Sequence, residues 1–251
     1  MAKFVSLIAG NICAGKTNKV QHIERQQDQF QPFLNPTESL KIIPEFIDPI
    51  ARKVFYRNRQ ENSALFEYSC LSGRIARHLY ARGDHFEQDN NLYFFDRGII
   101  EGAETFARNS YEESFMTKSQ FHQYTDIIKM GIDSLGKNRQ HLWLEQLIVY
   151  LEVKDEHILQ ERYQQRAAAT SEEPIPLDYF KRINEKYHHF FENINSIYDK
   201  YGVNPPQVLR LDASINGNHH NDYHKHTIIK IAQKMQEMNL NIQSPIIQKE
   251  K

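Results

Sequence analysis

The residues whose types and spacing point most directly to chemistry are Gly10-Asn11-Ile12-Cys13-Ala14-Gly15-Lys16-Thr17, which fit G-x-x-x-x-G-K-[ST]. The apolar run Phe4-Val5-Ser6-Leu7-Ile8-Ala9 leads into them, so a buried strand enters a glycine-rich turn. Glycines let the backbone curl until successive N–H groups aim at one anion. A helix beginning near Lys16 adds its positive dipole end. In this geometry Lys16 reaches the outer phosphates of a nucleotide and the Thr17 hydroxyl can ligate Mg²⁺. A plain strand–turn–helix with a surface lysine is the weaker reading, because the strand context is the one a phosphate loop requires.

Three further groups of charged residues could serve the same site. Glu45 follows the run Lys41-Ile42-Ile43-Pro44 and could accept a proton from a hydroxyl attacking the γ-phosphorus. It could also cap a helix, although Asp48 before Pro49 suits capping better. Asp96-Arg97 follows Leu92-Tyr93-Phe94-Phe95. The acid can hold a Mg²⁺ shell, and the arginine fork can bridge the nucleophile and the phosphates. Arg162 and Arg166 lie one helical turn apart and can close together over a triphosphate. The competing reading is a solvated face shared with Glu161.

Positioning these residues requires a regular frame. Apolar or β-branched runs at 4–9, 41–45, 92–96, 147–153 and 207–212 alternate with helical patterns at 16–28, 49–58, 62–81, 99–108, 117–138, 155–166, 176–200 and 223–237. Strands alternating with helices predict an α/β fold with a five-stranded parallel sheet flanked by helices. Functional residues should gather at the carboxyl ends of its strands. A loop is expected at 31–36. A lid is expected at about 162–176, with Ala167–Pro176 breaking two helical patterns, inside one domain of residues 1–238. A polar tail should follow at 239–251. The histidine-rich stretch from Asn218 to His226 reads as solvated loop or, less readily, as a metal site. The aromatic cluster from Tyr187 to Phe191 reads as helix packing.

Composition narrows the partners. The 251 residues carry 31 Lys+Arg against 32 Asp+Glu, a net charge of −1, which argues against nucleic acid or an acidic membrane as partner. Two cysteines, Cys13 and Cys70, build no disulfide framework and fit a reducing compartment. With no secretory pattern or spanning apolar run, the expectation is a cytoplasmic protein.

From the first strand to about Ser214 the chain resembles the deoxynucleoside kinase family. The phosphate loop resembles the family's G-N-I-x-A-G-K-[ST]. Glu45 stands where the family has its catalytic carboxylate, followed here by Phe46 rather than Pro. Tyr56 falls where a tyrosine meets the sugar 3′-hydroxyl, and Phe66-Glu67 with Arg74 resembles the helix that reads the base. Asp96-Arg97-Gly98 resembles [ED]-R-S, with Phe106-Ala107 at the family's distance. Leu151-Glu152-Val153 through Arg162, Arg166 and Ile175-Pro176-Leu177-Asp178-Tyr179 resembles the last strand–helix–lid stretch. Leu211-Asp212 resembles the strand end before the adenine-contacting loop.

The resemblance implies a P-loop kinase fold and Mg²⁺-ATP-dependent phosphorylation of a deoxynucleoside 5′-hydroxyl by a homodimer, in nucleotide salvage. It also assigns Asp212 to ATP binding, and Glu172 or Glu173 to the lid contact with the sugar. Four departures bear on specificity: Gly98 for Ser, Glu67 for a base-reading Gln, Gly102 for an assisting Asp, and Ala167-Ala168-Ala169 where a third lid arginine would stand. An ionised Glu67 only accepts hydrogen bonds, which matches the adjacent N1–H and N2–H of guanine, with Arg74 free to donate to O6 or N7. A protonated Glu67 would instead behave as glutamine. A thymidylate-kinase-like enzyme and a non-catalytic kinase-like subunit remain as alternatives.

Overall fold

The computed structural model describes residues 4–33, 40–82, 92–135, 144–170, 174–214 and 220–243. Five strands form one parallel sheet in the order β2-β3-β1-β4-β5: β1 Phe4–Gly10, β2 Leu40–Ile43, β3 Leu92–Asp96, β4 Leu147–Glu152 and β5 Gln207–Asp212. The central strands β1, β3 and β4 are buried almost throughout, which is why they read as continuous apolar runs. The parallel register sets Ile8 beside Asp96, Gly10 beside Leu151 and Glu152 beside Asp212, so the candidate site residues share one edge of the sheet.

Helical connections flank the sheet: α1 Lys16–Arg25, α2 Pro49–Arg57, α3 Arg59–Arg82, α4 Ile99–Gly102, α5 Arg108–Glu112, α6 Lys118–Ser134, α7 Glu156–Thr170, α8 Leu177–Glu192, α9 Ile194–Lys200 and α10 His220–Gln243. Asp48 caps α2 as its sequence position suggested, accepting from Ile50 N and Ala51 N at 2.8 Å each, with Pro49 in the first turn. Helix α8 buries Tyr179, Phe180, Ile183, Tyr187, Phe190 and Phe191 on one face.

Several boundaries differ from expectation, each for a local reason. Strand β2 stops at Ile43 because Pro44 has no N–H to continue the ladder, so Glu45 lies on the loop beyond it. The helix expected at 176–200 breaks at Asn193, whose side chain donates to His189 O at 2.9 Å. Ala167-Ala168-Ala169, assigned above to a lid, continue α7 to Thr170, as the high helix propensity of alanine favours. Gln31–Phe33, expected as loop, end a 3₁₀ helix that starts at Gln27. The helix expected at 99–108 contains a π-helical turn at Ala103–Ala107, where Thr105 Oγ1 donates to Glu101 O at 2.6 Å. The final helix runs from His220 to Gln243, past both ends of the expected 223–237. Glu172 and Glu173, and the terminal residues 244–251, lie outside the described residues.

Candidate active site

A cavity of about 690 Å³ runs along the carboxyl edge of the sheet. Ile12 to Lys19 line one end with Arg162, Arg166, Ala213, Tyr223 and His224. Glu45, Tyr56, Phe66, Glu67, Arg74, Tyr179 and Phe106 line the other, and Asp96 and Arg97 also face the cavity. Of the expected site residues within the described chain, Gly10 and Asn11 lie behind the lining of the cavity, and Asp212 stands apart from it. The Asp212 carboxylate accepts from Ser214 N at 2.9 Å and so shapes the turn after β5.

The phosphate loop has the backbone its glycines permit. Gly10 has φ 152°, and a Cβ there would meet Leu151 O at 2.9 Å. Gly15 caps α1 at φ 91°, in the left-handed region. Lys16 is buried and Nζ donates to Gly10 O (3.0 Å) and Asn11 O (2.8 Å). Burial first, then the nearby Arg97 cation, brings its ammonium down to about 8. A desolvated cation of this kind gains most from an anion placed against it.

Two braces hold the loop from behind, and sequence reasoning missed both. Asn11 Nδ2 donates to Asn184 Oδ1 (2.8 Å) and Phe180 O (3.0 Å) on α8, while its Oδ1 accepts from Ile12 N (2.7 Å). Tyr187, read above as packing, places its hydroxyl 2.8 Å from Gly10 O and against the Glu101 carboxylate, and accepts from Arg97 Nη1 at 3.0 Å. The apolar spacing that revealed α8 carries no signal for either polar tip.

At the other end Glu45 is one-tenth exposed and pairs with two buried arginines. Oε1 accepts from Arg74 Nη2 (2.7 Å) and Nε (3.2 Å), and Oε2 forms an ion pair with Arg97, whose Nε lies 3.1 Å away. Burial alone would raise the carboxyl pKa. Arg74 and Arg97 outweigh it and hold Glu45 below the usual carboxylate range. Arg97 is further fixed by Glu101 at 3.3 Å, and its guanidinium lies 4.2 Å over the ring of Phe106, which the π turn presents to the cavity. Arg77, another residue the sequence did not flag, donates to Pro44 O (2.8 Å) and Asp96 O (2.9 Å) and so ties the loop after β2 to the end of β3.

Arg74 was expected to face the base, and its fork turns to Glu45 instead. Glu67 is 3% exposed, and burial pushes its carboxyl up to about 7 despite the nearby Arg74 cation. Phe66 stacks on Phe55 at 4.3 Å, and Tyr56 sits edge-on to Phe55 at 5.3 Å, which makes an aromatic floor beside Glu67. Arg162 Nη2 donates to Ala213 O at 3.0 Å, and Arg166 is exposed over Tyr163 at 5.1 Å.

Asp96 is 6% exposed, its Oδ1 has no hydrogen-bond partner among the described residues, and burial raises its pKa although Lys16 opposes the shift. A buried carboxylate oxygen of this kind, lining the same cavity as Thr17, fits a hard dication. Among the described residues no cluster of three or more His, Cys, Asp or Glu could hold a metal. His224 is instead buried in packing, stacked on His22 at 3.9 Å and 2.9 Å from Lys19 Nζ. Asn218 and His219 fall outside the described residues.

A parallel sheet ordered 2-3-1-4-5, with a glycine-rich loop between its central strand and first helix, defines a P-loop kinase. The family profile "Deoxynucleoside kinase" matches residues 7–237, and the chain belongs to that family. It is 24% identical to deoxycytidine kinase 1 of Xenopus laevis over 221 residues, covering 82% of this chain and 81% of the relative. It is 23% identical to deoxycytidine kinase of Mus musculus over 222 residues, 82% of each, and 24% identical to that of Homo sapiens over 193 residues, 72% of each. The protein is thus a nucleoside-phosphorylating phosphotransferase, and no described helix is long and apolar enough to cross a membrane.

Proposed function

We propose that this chain transfers the γ-phosphoryl group of ATP to the 5′-hydroxyl of a deoxynucleoside, with a preference for guanine, as a step of nucleotide salvage. The observation that carries the reading is Glu45, a carboxylate kept ionised by two arginines in the cavity that the phosphate loop opens onto. A negative group at the acceptor end favours a hydroxyl over a phosphate, which sets this reading above a nucleoside monophosphate kinase. The retained Lys16-Thr17 pair sets it above a non-catalytic subunit. The test is radiolabelled ATP against the four deoxynucleosides and their monophosphates. Labelling of monophosphates alone, or of nothing, overturns the reading.

In this scheme Lys16 and the loop amides hold the β- and γ-phosphates, and Arg162 and Arg166 close from α7. Glu45 orients the 5′-hydroxyl and takes its proton. Its depressed pKa suits a reaction in which proton removal is a small part of the barrier and positioning the larger part. Arg97 bridges Glu45 and the transferred group. Thr17 and Asp96 would hold Mg²⁺, which when bound neutralises phosphate charge. A homodimer is supported by exposed Leu79 and Tyr80 on α3 and exposed Ile127 and Met130 on α6, two helices packed against each other.

Two measurements address the acceptor pocket. Tyr56→Phe weakens substrates carrying a 3′-hydroxyl by about 0.5–1.5 kcal/mol, because the sugar loses one hydrogen-bond partner. Equal losses for 2′-deoxy and 2′,3′-dideoxy nucleosides contradict that role. Glu67 gives the pocket a pH dependence. Below about 7 its carboxyl is protonated and offers a donor and an acceptor, as glutamine does. Above about 7 it only accepts, matching the two N–H groups of guanine. The kcat/KM ratio of deoxyguanosine to deoxycytidine should therefore rise between about pH 6 and pH 8 and stay flat in Glu67→Gln. A flat wild-type ratio, or the same rise in the variant, removes Glu67 from base selection.

A further inference from the structure

The direction of the Arg74 side chain depends on residue 102. Arg74 is 3% exposed on α3 and gives Nε and Nη2 to one oxygen of Glu45. Its fork reaches that position through space left by Gly102 at the end of α4. A Cβ there would stand 1.8 Å from Arg74 Nη1 and 2.6 Å from Cζ. Nη1 is buried and has no hydrogen-bond partner among the described residues, so Gly102 supplies room and no acceptor. The contact with Glu45 is the polar anchor of this rotamer.

We propose that Arg74 is a positioning residue for Glu45 rather than a reader of the nucleobase, and that the glycine at 102 assigns it that role. The inference rests on the reading of Glu45 as proton acceptor. Arg74 gives two N–H hydrogen bonds to one oxygen of the carboxylate and Arg97 forms an ion pair with the other, so both oxygens are held. With Arg97 alone only one oxygen is held, and the carboxylate can turn about its last torsion. The other charged groups near Glu45 are Arg77 and Glu67 from α3, Asp96 from β3 and Lys16 from α1. None of these has a hydrogen bond to it.

The decisive variant is Gly102→Ala. It adds one methyl group, leaves every charge in place, and presses on the mobile end of an arginine rather than on backbone. Steady-state kinetics with all four deoxynucleosides, alongside thermal melting, should show kcat reduced about tenfold or more for every substrate, with KM within about twofold. Arg74→Gln should give the same pattern, and the double variant should lose little beyond either single one, because both act on one contact. A loss confined to one nucleobase, or carried mainly by KM, overturns the proposal and returns Arg74 to base reading. Unchanged rates in both folded single variants also overturn it. A wild type that phosphorylates no deoxynucleoside overturns the functional reading itself, whereas an active wild type with unaffected variants overturns this proposal alone.

Discussion

Lys16→Ala abolishes phosphoryl transfer while the protein stays folded. The lysine is buried at the mouth of the loop, and its ammonium is already brought down to about 8 by burial and by the Arg97 cation, so the folded state bears an unfavourable charge there. Removing the side chain frees two loop carbonyls but relieves that charge, and the melting temperature should move little. Catalysis has no such compensation. Charge developing on the transferred group loses its desolvated cation, a loss of several kcal/mol and on the order of a thousandfold or more in kcat. Single-turnover transfer from radiolabelled ATP, with circular dichroism on the same sample, checks both halves. Near-normal turnover in a folded variant would refute the role of the loop.

Glu45→Gln produces the second large loss, about 10²–10³ in kcat with a much smaller change in KM. Glutamine keeps the size and one acceptor oxygen but can neither take the proton nor neutralise Arg74 and Arg97. Those arginines lie 3% and 7% exposed on either side of it, so some destabilisation accompanies the kinetic effect. Measuring kcat and KM separately, well below the melting transition, distinguishes the two. If KM carries the change, Glu45 binds substrate and does not act on it.

The parts of this site that depend on local chemistry could be read from the sequence. Phosphate-loop glycines, Asp48 before Pro49, and the apolar runs of β1, β3 and β4 each state their role within a few residues, because strand burial, capping and tight turns are local constraints. The parts that depend on distant geometry could not. Whether Arg74 meets a base or a carboxylate is decided by the missing side chain at Gly102, on another helix. Tyr187 shows an apolar ring in the pattern and a loop-bracing hydroxyl only in the fold. The π turn at Ala103–Ala107 has no compositional mark, yet it sets Phe106 under Arg97. The Glu45 carboxylate illustrates both cases: its place beyond an apolar run and the approach of Arg97 were visible, while the second arginine that keeps it charged, Arg74, was not.

The braces from α8 to the phosphate loop have a consequence for the cost of binding. Asn11 and Gly10 are tied to Phe180, Asn184 and Tyr187, residues in the middle of a helix whose apolar face is buried. The curl of the loop is therefore inherited from the frame and need not be ordered by an arriving nucleotide. Little conformational entropy remains to be lost there on association, so more of the contact energy is expressed as affinity. The same linkage makes the loop no more durable than its support. A polar or shortened side chain on the buried face of α8, well away from any phosphate, would loosen the donor site before it unfolded the protein.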